Sequence, residues 1–384
     1  SGNTAYWKRR AYASSKLGNW QDVLTETQRG LAIESDDKYD KDLLEMQSLA
    51  REKADQITEL DSANQVSRLL WTFEEHEGEV FSVAFSPNGN KLASAGMDSS
   101  IKVLDTETGV EILTMRGHAS RVSDICFTRD GTKIISGSAD GTIKIWNSKT
   151  GEQLKTIKAS SSAIFSIALS LDGKRIAASS ETWTVKRWDT ETGIELRPAV
   201  GNAERSFICA ESPDGESVAA GNENRTVEIW GNETDDKVRT LEGHKANVWA
   251  IAFSPNGRLI ASGSRSPENV IKVWDRQTGV ESMTLHGHID SVWSVDFSPD
   301  SQKILSASTD GTIKIWDFRS GIELLTLKGH SGRVSRAVFS PDGKLIASAS
   351  ADGTVKLWNL KLTPANTLPS SLQQGLVAYY PFNG

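Results

Sequence analysis

Between Leu69 and Leu360 the apolar residues come in short alternating runs, and turn residues break the runs at regular places. Val334–Phe339, Leu345–Ser348 and Thr354–Trp358 are three such runs, separated by Pro341-Asp342-Gly343 and then by Asp352-Gly353. A period of two lays alternate side chains on opposite faces of a strand. Asp-Gly between two runs marks a hairpin, because glycine tolerates positive φ and the aspartate caps the turn. A fourth run follows, as in Ile322–Leu327. The predicted unit is a meander of four antiparallel strands.

The unit recurs. Trp146, Trp188, Trp230, Trp274, Trp316 and Trp358 follow one another at spacings of 42, 42, 44, 42 and 42 residues, and His76 precedes His118 by 42 as His288 precedes His330. A fixed period of this length is a repeat architecture. Seven units begin near His76, His118, Ser160, Asn202, His244, His288 and His330, the first with Leu104 in place of Trp. A small sheet with two apolar faces cannot stand alone, and packing seven in a ring covers both faces of each. Residues 68–76, RLLWTFEEH, match 322–330, IELLTLKGH, so Leu69–Phe73 reads as a fourth strand with no preceding three. The last unit runs out after Leu360. The expectation is that Leu69–Phe73 completes the seventh sheet, which joins the two ends and removes exposed strand edges.

The Gly-His opening, the Asp-Gly turn and the closing Trp-Asp or Trp-Asn resemble the WD-repeat β-propeller family, over residues 68–360. The fold class expected is mainly β: a seven-bladed β-propeller closed by an N-terminal strand, preceded by a short α-helical hairpin. The resemblance implies a structural tetrad in each blade, made of the His, a Ser or Thr, the turn Asp and the Trp. It is complete in His118, Ser136, Asp140 and Trp146, in His288, Ser306, Asp310 and Trp316, and in His330, Ser348, Asp352 and Trp358. The first blade keeps His76, Ser94 and Asp98; the fifth keeps His244, Ser262 and Trp274, and extra residues in Arg265–Asn269 are expected to disrupt its turn. In blades three and four the positions hold Ser160, Ala178 and Thr182, then Asn202, Ala220 and Asn224, with only Trp188 and Trp230 kept. A buried network half removed is worth less than its parts suggest, so this pair is expected to be the softest sector. The histidines read as structural, one to a blade, and not as metal or proton sites.

The same resemblance implies that partners dock on the face carrying the loops into the innermost strands, at three positions per blade. The fifth residue after the His is Phe81, Ser123, Phe165, Phe207, Trp249, Trp293 and Ser335; the third is Glu79, Arg121, Ala163, Arg205, Asn247, Ser291 and Arg333; Met97 precedes the first turn Asp. The candidate partner-binding residues are therefore Phe81, Met97, Arg121, Phe165, Arg205, Phe207, Trp249, Trp293 and Arg333. Aromatics and arginine are the types most enriched in binding hot spots. Five aromatics around a channel mouth, with guanidinium groups at their edge, suit a peptide with an apolar anchor and an acidic neighbour. The competing reading puts these aromatics in the core, because Val83 and Phe85 share their parity.

No catalytic motif is present: no Gly-x-Ser-x-Gly elbow, phosphate loop, His-Glu-x-x-His or Cys pair. No catalytic residue, cofactor or metal is expected. The Asp-Gly turns offer one carboxylate each, too few for the six or more oxygens of calcium. A net charge of −7 argues against nucleic acid as the partner. Two cysteines, Cys126 and Cys209, make no disulfide framework. No apolar run approaches the 18 residues of a membrane span, and the expected compartment is the cytoplasm.

Residues 1–65 lack the repeat and read as helices, with Leu43, Leu44, Met46, Leu49, Ala50, Ile57 and Leu60 at helical spacings. Trp7, Gly18, Trp20, Leu24 and Leu31 resemble one tetratricopeptide unit, although Val23, Gly30 and Ser35 depart from it. One such unit cannot bury its own face, so the expectation is that further units precede Ser1 or that these helices dock on the propeller. Residues 66–361 are the propeller. Residues 362–384 read as a linker ending in GLVAYYPFNG, which resembles the first strand of laminin-G-like jelly rolls; the alternative is a short strand packed on the propeller. The opening Ser-Gly reads as the start of a segment cut from a longer chain. The close mutual similarity of blades five to seven resembles bacterial propellers of this family, which implies a larger signalling protein. The function expected is a scaffold or sensor module that binds a protein or peptide around the channel. The alternatives are a spacer or self-association element and, further off, an enzyme with a site at the channel mouth.

Overall fold

The computed structural model describes residues 68–182, 184–200, 206–232 and 236–360. The helical hairpin, the tetratricopeptide and laminin-G readings, and Arg205 lie outside the described residues. Those described form strands and turns and no helix, in seven four-stranded antiparallel sheets. The first blade runs Val80–Phe85, Lys91–Gly96, Ser100–Asp105 and Glu111–Arg116, from the channel outward. Five more blades repeat this order without a crossover.

The seventh sheet breaks the order as the sequence predicts. Leu69–Phe73 pairs antiparallel with Val355–Asn359, Phe73 opposite Val355 and Leu69 opposite Trp358. Lys356 Nζ donates to Thr72 Oγ1 at 3.0 Å, and Trp71 Nε1 donates to the Thr106 carbonyl of blade one at 2.9 Å. Gly109, at φ +72°, turns under the Trp71 indole; a Cβ there would lie 2.8 Å from the ring, so glycine serves both the backbone and the close approach.

Each face is covered by the neighbouring blade. Ala93, Ala95, Ile101, Val103 and Met115 of blade one pack against Val122, Ile125, Ile134 and Trp146 of blade two. At the closure, Phe73, Val80, Val83, Leu92 and Leu104 pack against Ala347, Ala349, Val355 and Leu357. Between blades three and four the described cluster is the smallest, made of Ala177, Val185, Cys209, Val218, Ala220 and Trp230.

The tetrads run in one direction. Trp146 Nε1 donates to Ser136 Oγ at 2.8 Å; Ser136 Oγ lies 2.8 Å from His118 Nε2; His118 Nδ1 lies 2.8 Å from Asp140 Oδ2. An indole N–H only donates and an ionised carboxylate only accepts, so the hydroxyl donates to Nε2 and Nδ1–H donates to the carboxylate. Burial pushes the Asp140 carboxyl up, but donors from Thr142, the Ala119 N–H and His118 outweigh it and bring it to about 2. Burial pulls His118 below the usual imidazole range against the opposing pull of Asp140, which keeps the ring neutral. Blades six and seven repeat the chain with Trp316 to Ser306 and Trp358 to Ser348, both at 2.9 Å.

Blade five departs from expectation. Its longer turn does not break the network, because Glu268 Oε2 lies 3.0 Å from His244 Nδ1 and Trp274 Nε1 donates to Ser262 Oγ at 2.8 Å. Burial raises the Glu268 carboxyl, yet His244 holds it at about 2. A glutamate from an enlarged turn thus supplies the carboxylate that an aspartate supplies elsewhere.

Blades three and four carry a different polar tie. Arg187 Nη1 of blade three donates to the Asn232 carbonyl at 3.1 Å and to Asn232 Oδ1 at 3.0 Å. Asn232 Nδ2 donates to Glu211 Oε2 at 2.7 Å, and Arg175 Nη2 to the Gly215 carbonyl at 2.8 Å. Burial raises the Glu211 carboxyl to about 7, although Asn232, Arg175 and Arg187 all favour its anion. A carboxyl whose folded pKa is raised binds more protons folded than unfolded, so its contribution is full below the ordinary glutamate pKa and lost as pH rises through about 7. We expect Glu211→Gln to raise stability at pH 8.5 by about 1–3 kcal/mol and to change it little at pH 5. Thermal unfolding of both proteins at the two pH values measures this. An equal effect at both would mean that ionisation of Glu211 is not what costs stability.

Candidate functional site

The first strand of every blade carries a β-bulge near its start. The register skips between Val80 and Ser82, Val122 and Asp124, Ile164 and Ser166, Ser206 and Ile208, Val248 and Ala250, Val292 and Ser294, and Val334 and Arg336. The skipped residues are Phe81, Ser123, Phe165, Phe207, Trp249, Trp293 and Ser335. A bulge leaves its extra residue outside the ladder and re-aims the side chain. The parity argument that tied these aromatics to Val83 therefore fails. Val83 is fully buried, while Phe81, Phe165, Phe207, Trp249 and Trp293 are only half-buried.

Four of the five aromatics touch in succession. Phe165 and Phe207 have ring centroids 6.5 Å apart, Phe207 and Trp249 4.6 Å, and Trp249 and Trp293 4.7 Å with the last pair edge to face. These separations are those of favourable aromatic pairs. The expected ring is thus an arc across blades three to six. Phe81 stands apart, with Ser335 on one side and Ser123 on the other, and carries the Arg121 guanidinium 5.8 Å above its ring. Met97, 47% exposed, is held by its N–H on the Glu79 carbonyl at 2.8 Å.

Cations cover the Trp end of the arc. Arg333 lies 4.4 Å from the Trp293 centroid and pairs with Glu79 at 2.9 Å, so it is not the free guanidinium the sequence suggests. Arg265 lies 4.2 Å from the Trp249 centroid and 5.6 Å from that of Trp293. Cations on indole faces are attracted by the ring quadrupole, by about 0.5–2 kcal/mol according to exposure. The sequence reading missed Arg265, because it sits in the enlarged turn that no other blade has. The two additional residues of that repeat were the signal. Donors here outnumber acceptors. Trp293 Nε1 donates to Thr309 Oγ1 at 2.6 Å, but the buried Trp249 Nε1 and Arg333 Nε have no acceptor among the described residues, and Ser123 Oγ and Ser335 Oγ have no partner there either.

The opposite end of the inner strands is built differently. Phe85, Phe127, Phe297 and Phe339, with Pro255, Pro299 and Pro341, line a cavity of about 460 Å3 that includes Asp296 and Arg336. Burial raises Asp296 to about 6 against the N–H groups of Phe339 and Phe297 and the charge of Arg336. Asp124, next to the bulged Ser123, staples three blades, accepting from Ser82 Oγ at 2.9 Å and Ser166 Oγ at 3.1 Å. Burial holds the Cys126 thiol up at about 12. Among the described residues no three His, Cys, Asp or Glu side chains are grouped to hold a metal ion, and no helix is long and apolar enough to cross a membrane.

Comparison with known families agrees with this architecture. The family described as IFT122 first beta-propeller matches residues 79–268, and the family described as WD domain, G-beta repeat matches residues 279–317 and 321–359. No curated protein matches the chain. The matched stretches fall within the seven sheets and end before the C-terminal segment. Two consecutive WD-repeat matches, and seven sheets joined through Leu69–Phe73, make residues 69–359 a WD-repeat β-propeller.

Proposed function

We propose that this propeller is a protein-interaction module that receives a protein or peptide on the face where the bulged residues meet. WD-repeat propellers generally serve as protein-interaction scaffolds. The observation that carries the reading is the half-buried arc Phe165–Phe207–Trp249–Trp293, lifted out of the sheets by successive bulges. Rigid aromatics at an exposed mouth supply contact area at low entropic cost. Arg121, Arg333 and Met97 extend the surface toward blades one and seven, and Phe81 and Arg205 belong to the same set of positions. In this reading the chain is a cytoplasmic scaffold or sensor segment of a larger, bacterial signalling protein, with residues 1–65 and the C-terminal GLVAYYPFNG string as neighbouring modules.

The test is selection from a random displayed peptide library with the whole chain, followed by binding of the selected peptides to Trp249→Ala/Trp293→Ala. We expect at least a hundredfold loss of affinity, since two hot-spot truncations at about 2 kcal/mol or more each exceed that. The variant must keep its thermal transition. Selected peptides that bind it as they bind the parent would contradict the reading.

A further inference from the structure

The enlarged turn of blade five does two things at once. Glu268 turns inward to the His244 network, and Arg265 lies outward across Trp249 and Trp293. Arg265 makes these ring contacts and no side-chain hydrogen bond or ion pair among the described residues. The carboxylates of the adjoining loops are engaged elsewhere: Glu268 with His244 at 3.0 Å, Asp290 with the Ser291 N–H at 2.6 Å, and Glu79 with Arg333 at 2.9 Å. Arg265 is therefore a half-buried cation without a counter-charge among the described residues, lying over the Trp249 ring and near that of Trp293, in a cluster whose Trp249 Nε1 and Arg333 Nε also lack acceptors there. Stacking fixes the plane of a guanidinium and leaves its edge free for a two-pronged hydrogen bond. The indole faces already hold Arg265 and Arg333, so a cationic ligand would have to displace them.

We propose that Arg265 is the specificity determinant of this face, and that it receives the side-chain carboxylate of an acidic residue next to an apolar anchor in a partner peptide. The apolar neighbour lies along the Phe207 end of the arc, where that half-buried ring packs 4.6 Å from Trp249. This rests on the docking reading above and adds to it the charge of the occupant. Arg121 over Phe81 gives a second guanidinium on the same face with no ion pair among the described residues, so an extended acidic segment is favoured over a single acidic residue.

The experiment uses the whole chain and four labelled synthetic peptides of alternating sequence: Glu–Phe, Gln–Phe, Lys–Phe and phosphoserine–Phe. Fluorescence anisotropy at 50 mM salt reads the affinities. We expect Glu–Phe to bind about tenfold or more tighter than Gln–Phe, Lys–Phe to bind weakest, and added salt to narrow the gap. Arg265→Ala should bring Glu–Phe down to the Gln–Phe level. Arg265→Lys, which keeps the charge and loses the stacked plane, should fall between. Thermal transitions of both variants within a few degrees of the parent show that the fold is kept. The proposal is overturned if Arg265→Ala binds Glu–Phe like the parent, if Lys–Phe binds as well as Glu–Phe, or if the parent binds no Glu–Phe peptide. A tighter phosphoserine complex would overturn the carboxylate assignment. Peptides that bind without regard to charge and are lost in Trp249→Ala/Trp293→Ala would leave the docking reading standing while removing this one.

Discussion

Removal of Leu69–Phe73 is expected to abolish the single cooperative thermal transition and to turn the chain into an oligomer. Without that strand the Val355–Asn359 edge loses its partner along its whole length, and an unpaired edge is a template for another chain. Phe73, 6% exposed, also leaves the cluster that joins blades one and seven. Truncating one buried Phe costs about 3–5 kcal/mol, and here a strand is lost with it. The milder variant Phe73→Ala should keep the ring and lower the melting temperature by about 6–15 °C. Differential scanning calorimetry with size-exclusion chromatography distinguishes the two. A deletion variant that stays monomeric and melts like the parent would show that the ring does not depend on this closure.

The second large effect is expected at Ser136. Its Oγ is fully buried and accepts from Trp146 Nε1 while pairing with His118 Nε2, both at 2.8 Å. Ser136→Ala strands an indole donor and an imidazole nitrogen in one blade. At about 1–3 kcal/mol for each buried group left unpaired, the expected loss is about 2–5 kcal/mol. Ser94→Ala in blade one is the internal control. Leu104 stands there in place of Trp, so only His76 Nε2 loses its partner, and the cost should be about half. Chemical denaturation of the two variants gives the order. Equal losses would mean that the indole bond carries no net stability.

How much of this was legible in the chain follows from what repeats. The period of Trp, kept in six blades, that of His, kept in five, and the Asp-Gly turns reflect contacts that most blades make, so copies of one signal reinforce one another, and Leu69–Phe73 stands out because it matches the fourth strand of the other blades. The bulges left no such trace. In VFSVAF, Phe81 keeps strict alternation with Val83 and Phe85, and an extra residue in the ladder is invisible to periodicity although it reverses which face Phe81 takes. Features found in one blade only were the least legible. Glu268 and Arg265 lie in an insertion that breaks positional alignment, so the sequence predicted a damaged network where the structure has a complete one. Arg187, one residue before Trp188, and Asn232, two after Trp230, meet across blades three and four at repeat positions that hold other residue types in the other blades, so the period did not mark them.

We propose that a partner sits at the bulged mouth, and not at the opposite end or on the outer strands. Amide hydrogen exchange of the whole chain, with and without a library-selected peptide at saturation, addresses it directly. We expect added protection in peptic fragments containing Trp249, Arg265 and Trp293, and none in those confined to the outer strands Glu111–Arg116 or Glu323–Leu327. Protection centred on the cavity around Pro255, Pro299 and Pro341, with the Trp249 and Trp293 fragments unchanged, would contradict it.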